Sequence, residues 1–136
     1  MSYQHANALQ VAVYGALQAS AAVQADVAGA VYDAVPAGPV PPLYVILGEE
    51  EALARDDMTG TGALHKFTVS VVGTVSGFAD MKVLAGAICD ALTPATVTLS
   101  DGHLISLNFE RARARRLDGG AGRQIDLRFN ARIEHS

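Results

Sequence analysis

Along residues 123–134 apolar and polar side chains alternate without a break. Ile125, Leu127, Phe129, Ala131 and Ile133 fall on one side, Asp126, Arg128, Asn130, Arg132 and Glu134 on the other. Period-two alternation marks a strand with one buried and one solvated face. Residues 103–116 form a second such run, and residues 117–122 supply Asp118, Gly119 and Gly120. Glycine accepts the positive φ a tight connection needs, so the two arms predict one long C-terminal β-hairpin. The first arm has a defect in parity. Ile105, Leu107 and Phe109 share a face, but simple continuation would put Arg111, Arg113 and Arg115 there too. One extra residue near Glu110 and Arg111, a β-bulge, moves the apolar set to Ala112 and Ala114. It predicts the three arginines on the wet face, across from Asp126, Arg128 and Asn130.

Upstream, Ala6, Leu9, Val13, Ala16, Leu17 and Ser20 follow three-and-four spacing and predict an amphipathic helix over residues 5–19. Ser20 can cap a second short helix through Ala28, ended by Gly29. Residues 31–35 read as a short strand. Pro36, Pro39, Pro41 and Pro42 then remove four amide donors and leave an extended connector into a strand over residues 43–48. Residues 49–62 hold five acids and little periodicity, and predict a mobile loop of about a dozen residues. Residues 64–74 return as a strand, with Phe67, Val69 and Val71 on one face and Lys66, Thr68 and Ser70 on the other. Residues 77–92 make the strongest helix. Phe78, Met81, Leu84, Ala85, Ile88 and Leu92 form its stripe, Asp80 favours its N-terminal dipole, and Pro94 follows its end. A short strand over residues 96–99 and a turn at Asp101 and Gly102 precede the hairpin. The order predicts an α+β fold, an antiparallel β-sheet with its helices packed on one face.

At 136 residues the chain has the size of one domain, spanning 1–136, with enough residues for a core without staples. No apolar run reaches the roughly 18 residues of a membrane span. The start of the chain lacks a signal-peptide pattern, so nothing directs export. The lone Cys89 excludes an internal disulfide and fits a reducing compartment. Charge is unevenly spread within the net −4. Residues 1–100 carry three basic and nine acidic side chains, residues 101–136 seven and five. A nucleic-acid binder is normally basic overall; this asymmetry suits subunits that join acidic surfaces to basic ones.

Candidate chemistry is sparse. Residues 60–66 are glycine-rich and end in Lys66, but lack the phosphate-loop spacing and lead into a strand. Asp56 and Asp57 offer oxygen ligands without the alternate acids and terminal glutamate of a calcium loop. His5, His65, His103 and His135 lie on separate elements without metal spacing. Ser76 reads as a helix cap, and Cys89 as an inert thiol on the buried side of its helix. Glu49, Glu50 and Glu51 end a strand, where adjacent acids alternate faces, and no pocket signature accompanies them. No enzyme, cofactor or metal site is expected.

The arginines carry the remaining signal. Arg111, Arg113, Arg115, Arg128 and Arg132 crowd a face where like charges repel unless countered. Three readings follow: a solvated face that protects a sheet edge, a docking surface for acids of a neighbouring subunit, or phosphate contact with DNA. The acid-rich segment with Glu49, Glu50, Glu51, Asp56 and Asp57 is the obvious counter-charge, supplied across a subunit boundary.

Laid out in order, the chain resembles the phage tail-terminator (tail-completion, head-to-tail joining) family. The cues are the Ala-rich first helix with Leu9, Val31-Tyr-Asp-Ala-Val-Pro36, Pro42-Leu-Tyr-Val-Ile-Leu-Gly-Glu49 and His65-Lys-Phe-Thr-Val69. They continue with Gly77, Met81, Lys82 and Ala85, Asp90-Ala-Leu92, Leu107-Asn-Phe109, Ala112-Arg113, Asp118-Gly119 and Leu127-Arg-Phe129. Where similar proteins often carry a tryptophan or polar residue after the Phe-Thr-Val strand, this chain has Val72 and Gly73. The resemblance implies a homo-oligomer, a hexameric ring that caps the tail tube and joins it to the head connector or adaptor. Its partners would be the tail-tube and connector proteins, with DNA passing unread through the lumen and no membrane. It places the chain in a phage or phage-like particle assembled in a bacterial cytoplasm, and the Ala-rich character is like the gene transfer agent versions. The competing readings are a small binding module using the hairpin on nucleic acid or protein, and a minor enzyme using carboxylates within residues 49–57.

Overall fold

The computed structural model describes residues 3–54, 62–74, 78–117 and 122–134. Helices α1 (Ala6–Ala19) and α2 (Ala21–Val27) are followed by strands β1 (Val31–Tyr32), β2 (Leu43–Ala54) and β3 (Gly62–Gly73). Helix α3 (Ala79–Ala91) then leads to β4 (His103–Arg116) and β5 (Arg123–Glu134). The strands form one sheet in the order β1-β2-β3-β5-β4. The expected α+β class and the long C-terminal hairpin are both present.

Burial follows the predicted stripes. Leu9, Val13 and Leu17 of α1, Val23 and Val27 of α2, and Met81, Leu84, Ala85 and Ile88 of α3 meet Val45, Phe67, Val69, Val71, Ile125, Leu127, Phe129 and Ile133 in one core. A fully buried side chain of this size stabilises by roughly 2 kcal/mol, so the apolar face of the sheet is what holds the helices. Ser20 caps α2, its hydroxyl accepting from Val23 N at 3.3 Å. Ala28, with φ 47°, takes the left-handed C-cap position one residue before the expected Gly29. Gly73 seats α3 against the sheet: a Cβ there would lie 2.7 Å from Met81 Sδ. The Met81 thioether therefore fills the place where a larger residue after the Phe-Thr-Val strand would project.

Five sequence expectations are corrected. The sheet is mixed, because β1 pairs parallel to β2. The proline-bearing connector returns the chain to the end from which β1 started, and only parallel pairing is then open. β1 also stops at Tyr32, with Asp33, Ala34 and Val35 outside the ladder. Residues 49–54 are not loop but the second half of β2, paired through Glu50↔Phe67 to Ala54↔Ala63. Residues 96–99 are no strand: Thr96 N and Val97 N both donate to Thr93 O, at 3.1 and 3.0 Å. Thr93 N donates to the Thr96 hydroxyl at 3.0 Å, so local side-chain bonds close a turn in place of a ladder. Helix α3 begins two residues later than expected, with Phe78 at its cap position; Ser76 and Gly77 lie outside the described residues. Among the described residues no helix is long and apolar enough to cross a membrane.

Candidate docking surface

The hairpin contains the predicted bulge. Phe109 pairs with Phe129 and Arg111 with Arg128, so Glu110 is the extra residue. Before it Leu107 and Phe109 face the helices, opposite Ala131 and Phe129; after it Ala112 and Ala114 do, opposite Leu127 and Ile125. Phe109 and Ala112 are an odd number of residues apart and both need the apolar face, which only an unpaired residue between them permits. Two further irregularities escaped sequence reading, one between Leu104 and Ser106 and one between Leu47 and Glu50 of β2. The first makes Ile105 the extra residue and sets Leu104 opposite Ile133, so Ile105 drops out of the alternation expected of it with Leu107 and Phe109; the second interrupts no visible apolar period.

Arg111, Arg113 and Arg115 accordingly reach the outer face. Their partners are Arg128, Asp126 and Gln124. The third is Gln124 and not the expected Asn130, which pairs with Asn108. Together with Glu49, Asp126 and Arg128 the three arginines line an open groove of about 300 Å³ across the outer face. Arg132 shares the face but stands opposite Ser106, beyond the groove. Arg123 is drawn away, its guanidinium 5.2 Å from the centre of the Phe78 ring.

One acid organises the groove floor. Asp126 accepts hydrogen bonds from Ser70 Oγ at 2.7 Å, Gln124 Nε2 at 2.8 Å and Arg115 Nε at 3.4 Å. Burial alone pushes its carboxyl up, but these donors and the Arg115 charge outweigh it and hold Asp126 below the usual carboxylate range. Arg115 is thus neutralised. Among the described residues Arg111, Arg113 and Arg128 form no ion pair, and Arg111 lies directly across from Arg128. Like charges so placed repel, leaving a surface that gains from an added anion.

The three glutamates of β2 divide between faces. Glu49 lines the groove and Glu51 stands opposite Lys66 on the outer face. Lys66 itself pairs with Glu110 at 3.9 Å. Glu50 turns to the helix side, where its carboxylate accepts the Tyr3 hydroxyl and pushes that phenol up. Asp56 and Asp57 lie outside the described residues.

The fold also gathers residues that looked scattered. His65 falls on the apolar face of β3 and is fully buried, its ring stacked 6.5 Å from that of Tyr3. Neither of its nitrogens has a hydrogen-bond partner. His5, also buried, lies with Nδ1 3.1 Å from Asp101 Oδ2. Parity with Phe67 would have revealed the buried face of His65; its neighbours come from distant segments and carry no local signal. Among the described residues no group of His, Cys, Asp and Glu could hold a metal ion. His135 lies outside them. Cys89 is half-buried, and burial, then Asp90, pushes its thiol up, away from nucleophilic chemistry. What the geometry offers is a guanidinium array suited to carboxylate or phosphate oxygens.

The family model described as "Tail completion protein gp17" matches residues 11–134. Among solved structures, a chain of the "Virion of native gene transfer agent (GTA) particle" is similar at 49% identity with a TM-score of 0.91, over 97% of this chain and 98% of that one. No curated protein matches.

Proposed function

The chain belongs to the tail completion protein gp17 family, and from that premise we propose that it is a ring subunit closing the tail tube of a phage-like particle, the gene transfer agent kind. As a tail-completion protein it is a structural component of the particle. In the finer reading the ring is hexameric, joins the tube to the head connector, and lets DNA pass without reading it. It works by contact and turns over no substrate. The single observation carrying this is the near full-length similarity to a chain of a gene transfer agent virion at 49% identity.

Docking between copies then uses the outer-face arginines, Arg111, Arg113 and Arg128 first, with Arg115 and Arg132 beside them. Their counter-charges are Glu49, Glu51, Asp56 and Asp57; Glu50 is already engaged by Tyr3 within the subunit. The test is mass in solution together with imaging of particles made with and without the protein. We expect association, and tails that lack a defined end when the protein is missing. A strictly monomeric chain, both alone and in purified particles, would sink the reading.

A second reading is favoured by the three arginines without an acid partner: the groove holds nucleic-acid phosphate. It requires DNA affinity that falls steeply with added salt.

A further inference from the structure

Resting on the ring reading, we infer that successive copies join by continuing the sheet, the outer edge of β4 in one copy pairing with the open edge of β2 in the next. Among the described residues both edges are open, and β4, 14 residues long, pairs only with β5. β1 covers β2 only at Val45 and Tyr32's partner Ile46, so residues 47–53 of β2 have β3 on one side and no strand on the other among the described residues. That stretch spans about 24 Å, enough for a seam of several ladder bonds. Long, unpaired edges without proline are templates for another strand.

Charge selects the partner. The β4 edge carries Arg111, Arg113, Arg115 and Arg116; the β2 edge carries Glu49, Glu50 and Glu51. The two margins of one sheet therefore have opposite sign, and copies added head to tail match at every junction. Two β4 edges meeting about a two-fold axis would set arginine against arginine. Within a subunit Glu49 and the β4 arginines are three strand spacings apart, about 14 Å, too far for direct pairing without side-chain reach from both sides. A neighbour's β2 would stand one spacing away.

Direction and cover agree. β2 is antiparallel to β3, β3 to β5, and β5 to β4, so β2 and β4 run oppositely. Copies arranged about an axis along the strands bring them together antiparallel, with Glu49 and Glu51 on the same face as Arg111, Arg113 and Arg115. On the other face β4 is bare at Phe109, which is 50% exposed. Helix α1 packs over β2, with Leu9 and Val13 beside Leu47 and Phe67. A neighbour whose β2 lies against β4 carries its own α1 over that bare side.

Charge reversal tests the seam. Arg111→Glu with Arg113→Glu should weaken association at least about tenfold, by native mass and by occupancy of tail ends. Adding Glu49→Arg and Glu51→Arg to the same chain should restore it to within a few-fold of the unaltered protein. In the unaltered protein, association should slow amide exchange in both β4 and residues 47–53, since ladder pairing protects backbone N–H groups. An oligomer that survives the first reversal, that the four-fold variant fails to restore, or that leaves either edge unprotected overturns the seam while the ring stands. An unaltered chain that is monomeric in solution and in particles removes the ring itself.

Discussion

Ser70 donates its hydroxyl to Asp126 at 2.7 Å, joining the middle strand of the sheet to the floor of the arginine groove. With Gln124 and Arg115 also donating, the carboxylate is held below its ordinary value of 3.8. A depressed carboxyl stabilises the fold fully above that ordinary value and loses the contribution as pH falls through the folded one. Asp126→Asn should therefore cost on the order of 1 kcal/mol near neutrality and flatten the acid limb of the stability profile. Denaturant midpoints from neutral pH down to the acid limb measure both effects. An acid limb as steep in the variant as in the original chain would contradict the assignment.

His65 gives a second pH dependence with a different window. Burial, chiefly, and the nearby His5 lower its value below the ordinary 6.5, against the opposing pull of Glu50. The fold holds the ring neutral, so its contribution is complete above 6.5 and lost as pH falls through the lowered folded value. Both ring nitrogens are unpartnered, and such groups cost about 1–3 kcal/mol when buried. His65→Leu should consequently melt no lower than the original chain at mildly alkaline pH, and lose less on mild acidification. A variant that melts well below the original at alkaline pH would show that the imidazole is needed.

Gly102 adopts φ +85°, and a Cβ there would lie 2.9 Å from the His5 ring. Backbone strain and crowding act together, so Gly102→Ala should destabilise by about 1–2 kcal/mol. The His5–Asp101 contact should loosen with it. Thermal melts and the His5 ring resonances report the two effects; an unchanged melt would mean the turn relaxes freely.

Deleting Glu110 should leave the fold intact. The deletion makes β4 regular there, keeping Phe109 opposite Phe129 and Arg111 opposite Arg128. What goes is the local bend and the Lys66 partner, a surface pair worth at most about 1 kcal/mol. Inserting one residue between Ala112 and Arg113 should instead send Arg113 and Arg115 to the apolar face and destabilise by several kcal/mol, because a one-residue slip exchanges faces. Circular dichroism and denaturant midpoints on the two variants separate them. Equal damage from both would mean the pairing does not set the parity.

The hairpin was legible because its signal is local. Alternation over β5 needs no knowledge of the partner, and the bulge at Glu110 shows as a parity conflict within β4 itself. Residues 49–54 were not legible as strand, since three consecutive glutamates carry no apolar period. Their extended form is imposed by pairing with β3, where Lys66 and His65 stand opposite Glu51 and Ala52. Segment 96–99 failed the other way: Val97 and Leu99 suggested a strand, and the Thr93–Thr96 bonds outcompeted it. The groove's arginines could be chosen from sequence, but not which of them Asp126 would neutralise. That depended on register, and register placed Gln124 where Asn130 had been expected.

The four prolines of residues 36–42 have an effect beyond shaping a connector. β1 leaves the ladder after Tyr32, with three residues still to run before the first of them, and a connector without those amide donors is poorly able to rejoin the β2 edge further on. Were β1 longer, it would occupy the edge of residues 47–53 with the subunit's own backbone. Self-coverage and assembly compete for the same row of N–H and C=O groups, and the prolines weigh against self-coverage beyond the point where β1 has already turned away.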